Sequence, residues 1–292
     1  MKIAIASGKG GTGKTTVSVN LAAYLENQGH SIRLIDCDVE EPNAHFFLKP
    51  KLNEPAIASV PVPVIDEDKC IGESCKKCIE LCQFKSLIWM VDAVMPFSEL
   101  CHGCGLCELA CPADAITEGK REIGTTSYGK SGSIEYYTGL LRIGEAMSPP
   151  LIRTLKDIAE EHSRTDSDVE YTLLDCPPGT SCPVVTSLEG ADVSVLITEP
   201  TPFGLHDLKL AVGLLRKLEL PFGVVINRDG MGDTRVHEYL KAEDIPLLGS
   251  LPHSIEAASL YSKGELFVDT IPEYQTAMKD LFANTLALIT KE

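Results

Sequence analysis

Nine residues near the start of the chain, Gly8-Lys9-Gly10-Gly11-Thr12-Gly13-Lys14-Thr15-Thr16, constrain its fold more than any other stretch. They fit the spacing G-x-x-x-x-G-K-[ST] of a phosphate-binding loop. Its glycines let backbone N–H groups face phosphate oxygens without Cβ obstruction, and a helix N-terminus adds positive partial charge beside them. The flanks supply the required context. Ile3-Ala4-Ile5-Ala6 reads as a buried parallel strand, and Val17, Leu21 and Leu25 mark a helix closed by Gly29. A glycine-rich turn with a surface lysine would explain neither flank. A nucleoside triphosphate is the implied ligand, held by Gly8, Gly10, Gly11, Thr12, Gly13, Lys14, Thr15 and Thr16. Lys14 is expected to reach the β/γ-phosphates and Thr15 to offer its hydroxyl to Mg²⁺.

At 292 residues the chain can hold one large α/β domain and a small one, and its 44% hydrophobic content excludes disorder. A net charge of −16 argues against a broad basic face for nucleic acid and suits cationic protein partners. Lys2 leads straight into the first strand and no run approaches a membrane span, so a cytoplasmic protein without membrane attachment is expected. Met278, Leu281, Phe282, Leu286 and Ile289 recur at helical spacing with few cations on the polar side, which reads as a core-packing helix rather than a membrane anchor.

Eleven cysteines in such a protein point to metal or cofactor rather than disulfides. Eight of them form two runs, Cys70-x4-Cys75-x2-Cys78-x3-Cys82 and Cys101-x2-Cys104-x2-Cys107-x3-Cys111-Pro112. The second has the spacing of a bacterial ferredoxin. The segment repeats internally: Cys75, Cys78, Cys82 and Leu87 recur 29 residues later as Cys104, Cys107, Cys111 and Ile116. Three cysteines on one tight loop reach three irons of a cubane, and in two-cluster ferredoxins the fourth ligand is exchanged between loops. Cys70, Cys75, Cys78 and Cys111 are thus expected to hold one [4Fe–4S] cluster, and Cys101, Cys104, Cys107 and Cys82 the other. The first loop departs from the pattern by two extra residues around Gly72 to Ser74, and Gln83 stands where proline is usual. Zinc is the competing reading for paired C-x2-C knuckles, but it leaves the repeated C-x2-C-x3-C frames unexplained. His102 is expected at the surface, able to tune a cluster by a hydrogen bond.

The rest alternates between strands and helices. Ile32 to Asp36 reads as a strand delivering Asp36, Cys37 and Asp38 to its carboxyl end, where open α/β sheets bind ligands. Further strands are expected at Ser133 to Tyr137, at Tyr171 to Leu174 ending on Asp175, at Val193 to Ile197, at Gly223 to Asn227 and at Leu247 to Leu251. Helices are expected after Pro149-Pro150 and around Leu208, Val212, Leu215 and Leu218. The expected fold is α/β: a mostly parallel, doubly wound phosphate-loop NTPase sheet over residues 1–60 and 119–292, with a small α+β bacterial-type ferredoxin domain inserted at 61–118.

Lys9 narrows the family, because K-G-G-T-G-K-T-T resembles the deviant phosphate loop of the MinD/ParA group of ATPases, which includes the nitrogenase iron protein and Mrp-type proteins. The resemblance implies an ATP-binding homodimer, or a heterodimer with a related ATPase, in which Lys9 crosses the interface to the partner's nucleotide. Without it, Lys9 reads as a second phosphate-steering cation. Asp38-Val39-Glu40-Glu41-Pro42-Asn43 resembles switch I, implying that Asp38 positions the attacking water near Mg²⁺; for Asp36 a structural and a catalytic role both stay open. Asp175-Cys176-Pro177-Pro178-Gly179-Thr180 resembles Walker B and switch II, with Asp175 holding Mg²⁺ through water and the Gly179 N–H sensing the γ-phosphate. The resemblance further implies that Asn227 bonds the adenine edge and that Pro252 and His253 close over the base.

One departure matters. Mrp-type cluster scaffolds carry a C-x-x-C pair in the C-terminal half, whereas residues 183–292 contain no cysteine. Cys182 lies seven residues after Asp175, the distance of a cluster ligand in the nitrogenase iron protein; an interfacial metal ligand and a plain buried thiol are its two readings. The leading functional expectation is an ATPase whose nucleotide state gates electron transfer from two [4Fe–4S] clusters to a redox partner. An iron–sulfur or metallocofactor assembly ATPase is the alternative, and a positioning ATPase with redox-sensing clusters is a third.

Overall fold

The computed structural model describes residues 1–166 and 169–290. The chain divides into two compact units, one of Met1–Pro55, Thr126–Leu140 and Ile152–Glu292, the other of Ala56–Thr125 and Leu141–Leu151. In chain order the elements begin with β1 (Lys2–Ala6), α1 (Lys14–Asn27), β2 (Ile32–Asp36), α2 (His45–Leu48), β3 (Lys51–Leu52) and β4 (Ala56–Ile65). The cysteine-rich stretch contributes α3 (Lys77–Leu81), β5 (Leu87–Met90), β6 (Ala93–Pro96) and α4 (Leu106–Leu109). Then come β7 (Ile116–Ser131), β8 (Ile134–Leu141), α5 (Pro149–Asp166), β9 (Tyr171–Asp175), α6 (Cys182–Leu188), β10 (Val193–Thr198) and α7 (Pro202–Lys217). The chain closes with β11 (Phe222–Asp229), α8 (Arg235–Ala242), β12 (Leu247–Pro252), α9 (Ile255–Ser262) and α10 (Pro272–Ile289).

The main sheet runs in the order β12-β11-β10-β1-β9-β2-β8-β7-β3. From β12 to β8 the pairs are parallel. Strands covered on both faces need apolar residues throughout, and β1, β2, β9 and β10 supply them: Ile3, Ile5, Leu34, Leu173, Val193 and Val195 have no exposed surface. Helix α1 is buried nearly all round, Val17 to Leu25, so its sequence shows little of the usual one-sided stripe. Helix α10 packs against β12 and α1, and Met278 and Leu281 lie in the same core. Among the described residues, no helix is long and apolar enough to cross a membrane.

Strand β7 has no apolar run to announce it. Lys120, Glu122 and Lys130 are exposed along it, and Gly129 lies so close to the Lys51 carbonyl that a Cβ would collide. In the cysteine-bearing unit β4 pairs with β7, and β5 and β6 form an antiparallel hairpin. The internal repeat takes physical form here. Helices α3 and α4 pack together, and each follows a left-handed residue, Lys76 (φ 50°) or Gly105 (φ 70°), between the first and second cysteines of its C-x2-C-x3-C frame. The extra residues of the first run form a 3₁₀ turn, Gly72–Ser74.

Asn20, in the middle of α1, holds a remote segment: its Oδ1 accepts from the Phe267 N–H (2.7 Å) and the Val268 N–H (3.1 Å), while its Nδ2 donates to the Thr16 carbonyl. Asn20→Ala strands two buried donors and is expected to cost about 2–4 kcal/mol of unfolding free energy. Asn20→Asp keeps the acceptor and should cost less. Denaturant titration of both variants checks this.

Candidate nucleotide site and two cysteine pockets

Register brings the site together. Asp175 pairs with Ile5 of β1 on one side and with Asp36 of β2 on the other, so the carboxyl ends of three central strands meet. The loop leaving β1 turns through Gly11 (φ 76°) and Gly13 (φ 96°), a region that penalises side chains. Gly13 opens α1, whose first turn carries no acidic residue and so leaves its N–H groups to an anion. A pocket of about 490 Å³ lies over this end, lined by Gly10, Gly11, Gly13, Lys14, Thr15, Thr16 and Asp38 on one side. Asn227, Arg228, Pro252, His253, Tyr261, Phe267 and Tyr274 line the other.

Asp36 is fully buried and does not face the pocket. Its oxygens accept from the N–H groups of Asp38, Asn43 and Ala44, each at 3.2 Å, and from the Tyr136 hydroxyl at 3.1 Å. It organises the loop that carries Asp38. Burial, and next the charge of Asp175, hold its carboxyl well above the usual range. Asp175 is equally buried; burial raises its carboxyl too, against the Thr15 hydroxyl, the Lys14 ammonium and the Ser18 hydroxyl. Its Oδ1 accepts from Ser18 (2.9 Å), but Oδ2 is buried without a hydrogen bond. An orphaned carboxylate oxygen beside Thr15 and Lys14 is a donor set suited to a hard cation such as Mg²⁺.

In the other unit, eight cysteines divide four and four. One pocket is lined by Cys82, Cys101, Cys104 and Cys107, the second by Cys70, Cys75, Cys78 and Cys111, so each takes one cysteine from the other's run. Backbone donors point at the sulfurs: Ser86 N–H to Cys82 Sγ (3.4 Å), Gly103 N–H to Cys101 Sγ (3.4 Å) and Ala115 N–H to Cys111 Sγ (3.3 Å). Burial pushes the Cys78 and Cys107 thiols up. At Cys82 burial is outweighed by the Ser86 hydroxyl and nearby N–H groups, and its thiol lies below the usual value. His102 stacks on Phe84 with ring centroids 3.6 Å apart. Among the described residues, no three His, Cys, Asp or Glu side chains converge closely enough for one metal ion.

Residues 3–267 match the family described as the CobQ/CobB/MinD/ParA nucleotide binding domain. The chain belongs to that family. It is 31% identical over 270 residues to an uncharacterized protein of Methanocaldococcus jannaschii, covering 92% of this chain and 91% of that one. It is 23% identical over 290 residues to a protein of Aquifex aeolicus named iron-sulfur cluster carrier protein, covering 94% of this chain and 64% of that one. The cell division ATPase MinD of Pyrococcus furiosus has a similar fold, with a TM-score of 0.61 at 20% identity over 98% of both chains.

For this member of the family, the residues of several expected nucleotide contacts bond within the protein. The Asn227 amide donates to the Thr12 carbonyl (2.8 Å) from within the pocket wall, and the Gly179 N–H donates to the Ser7 carbonyl (3.0 Å). The Pro252 carbonyl accepts the Tyr274 hydroxyl (2.9 Å). Lys9 lies outside the pocket with its ammonium 3.4 Å from Glu199 Oε2. Cys37 and Cys176 are buried directly behind Asp36 and Asp175, whereas Cys182 is exposed. A plain buried thiol is therefore wrong for Cys182, because it starts α6 with its side chain turned outward. Ser18, Tyr136 and Glu199 escape a reading of the sequence; only Ser18, one helical turn beyond Lys14, carried any signal.

Burial, offset by the Lys14 ammonium and reinforced by Asp175, pushes the Asp38 carboxyl from 3.8 up to about 6. Between those values the native state keeps a proton that the unfolded chain has lost, so this group's contribution to stability falls as pH rises through the window. In nucleotide- and metal-free protein, Asp38→Asn should gain stability relative to wild type from pH 3.8 to about 6, and the difference should level off above. Thermal melts across pH with a chelator present test it; a pH-independent difference refutes it.

Proposed function

We propose that this chain is an ATP-hydrolysing iron–sulfur protein whose nucleotide state governs delivery of a cluster or metal to an acceptor during metallocofactor assembly. The observation that carries the reading is the four-and-four division of eight cysteines around two pockets, in a family member similar to a protein named for cluster carriage. Cys70, Cys75, Cys78 and Cys111 would hold one resident [4Fe–4S] cluster, and Cys101, Cys104, Cys107 and Cys82 the second. The repeated C-x2-C-x3-C frames, each completed by a cysteine of the other run, favour a polynuclear cluster over zinc. Backbone N–H groups aimed at three of the sulfurs suit thiolates.

At the nucleotide site, Lys14 and the N–H groups of Gly10 to Thr16 bind the phosphates. Thr15, Asp38 and Asp175 supply oxygen to Mg²⁺, which withdraws charge from the phosphates when bound. Asp38 orients the attacking water. Asn227 exchanges Thr12 for the adenine edge, Pro252 and His253 border the base, and Gly179 exchanges Ser7 for the γ-phosphate. Lys9 serves a dimer with a second copy or a related ATPase. The inserted unit is in this reading a ferredoxin-like domain.

Gated electron transfer is the second reading. It is favoured by residues 183–292 lacking the C-x-x-C pair on which a transferable cluster could sit. Iron content tests the two clusters that both readings share, and iron transfer together with cluster potentials separates the readings. Anaerobic protein should contain about eight irons per chain, and Cys111→Ser should damage the cluster of Cys70, Cys75 and Cys78. Iron near four per chain refutes two clusters. In the assembly reading, Lys14→Ala abolishes nucleotide-dependent transfer of iron to an apo-acceptor, while cluster potentials are the same with and without ATP in Asp38→Ala protein. Potentials that separate by tens of millivolts, where about 59 mV is a tenfold change for one electron, with no iron transferred, would establish electron gating instead.

A further inference from the structure

We propose that Glu199 is a positioning residue for the phosphate-binding loop: it holds Lys9 outside the pocket, and Arg228 keeps its carboxylate neutralised when Lys9 leaves for a phosphate. The inference rests on the phosphate-loop reading of the site. Glu199 follows β10, and its side chain is only 11% exposed. One oxygen, Oε1, lies 2.8 Å from Arg228 Nη1; the other, Oε2, lies 3.4 Å from Lys9 Nζ. A mostly buried carboxylate needs at least one cation, since an unpaired charge there is strongly destabilising. This one has two, held unequally. Arg228 is bound at ordinary hydrogen-bond length, whereas Lys9 is held at a distance where the pair is weak and its long side chain is restrained for little return. Lys9 is the cation that can go.

The acceptor itself is fixed from several sides. Its carbonyl accepts the Thr201 N–H (2.8 Å), and Gly204 approaches that carbonyl so closely that no side chain would fit. Gly232 packs onto the Pro200 carbonyl in the same way, which clamps the loop after β11 to the residue following Glu199. Arg228 is held in the left-handed region (φ 54°), uncommon for a side chain that long, with its N–H bonded to Asn227 Oδ1 (2.9 Å). On the other side, the Ser7 hydroxyl donates to the Lys9 carbonyl (2.6 Å). Backbone on both flanks is therefore set, and the Lys9 side chain is the movable part. Its ammonium is drawn to a fixed carboxylate in the absence of nucleotide and competes for phosphate oxygens in its presence.

Three variants test this by calorimetric titration with Mg²⁺ and the non-hydrolysable ATP analogue AMP-PNP. Glu199→Gln should bind about two- to fivefold more tightly than wild type, the size of one exposed ion pair removed from the free state. The gain should vanish in the Lys9→Ala background, because the two residues act as one unit. A merely structural role for Glu199 would weaken binding or leave it unchanged in both backgrounds. Glu199→Asp is the second route if the glutamine variant does not fold: one methylene shorter, it keeps a negative charge for Arg228 but loosens Lys9, and the same gain and the same cancellation are expected. No gain in either variant, or a gain that persists without Lys9, overturns the proposal. Lys14→Ala separates the two levels of inference. If it leaves AMP-PNP binding intact, the phosphate-loop reading fails; if it abolishes binding while the Glu199 variants show no gain, only the Glu199 proposal fails.

Discussion

The nucleotide site depends on the buried carboxylate of Asp36. Three backbone N–H groups and a phenol converge on it, and the segment they come from, Asp38 to Ala44, has few other reasons to adopt one shape. A carboxyl group this deep is tolerated only where its hydrogen bonds are made. The geometry is complete: Asp38 N–H on one oxygen, Asn43 N–H, Ala44 N–H and Tyr136 on the other. Removing any of these leaves a buried carboxyl oxygen short of a partner, so the loop is bound to the acid as much as the acid to the loop. Asp38 reaches the pocket because Asp36 stays behind.

That arrangement places two like charges on paired positions of adjacent strands. Asp36 and Asp175 share a register line, and the charge of Asp175 adds to burial in raising the proton affinity of Asp36. Asp36 is satisfied by its donors; Asp175 keeps one buried oxygen bare. Of the two acids it is therefore Asp175 that can gain a cation, and the difference was set by neighbours rather than by sequence position. Helix α1 contributes in the same spirit, with Ser18 on Asp175 and Asn20 on the distant Phe267–Val268 backbone.

Much of this architecture was legible in the sequence. The strands β1, β2, β9, β10, β11 and β12 are short apolar runs, and the phosphate loop identifies its own place at the end of the first. The polar strand β7 and the brief β3 were not legible, since they are specified by their pairing partners and by glycines such as Gly129 that admit a close neighbour. The same divide runs through the site. Lys14, Asp38 and Asp175 stand at motif positions, whereas Tyr136 and Glu199 acquire meaning only from a strand register and a loop clamp. The exchange of Cys82 and Cys111 was expected from the ferredoxin spacing, and each of the two lines the pocket of the other run. Cys182 was not legible, because exposure at the start of a short helix depends on how that helix meets the sheet.

An acidic chain that binds a polyanion requires the local field to oppose the net charge. The chain carries −16 overall, but at physiological ionic strength exposed charges are screened over about 8 Å, so distant surface carboxylates contribute little at the pocket. What counts is within that radius: the nearly buried ammonium of Lys14, the N–H groups of the α1 N-terminus, and the reserve cations Lys9 and Arg228 around Glu199. Asp38 and Asp175 work against them. The balance of that small set favours a phosphate only where N–H groups converge, at the loop, and nowhere else on the surface is a comparable set required. This is why a chain of net negative charge is compatible with binding a single nucleotide, which needs only a local set of cations and N–H groups.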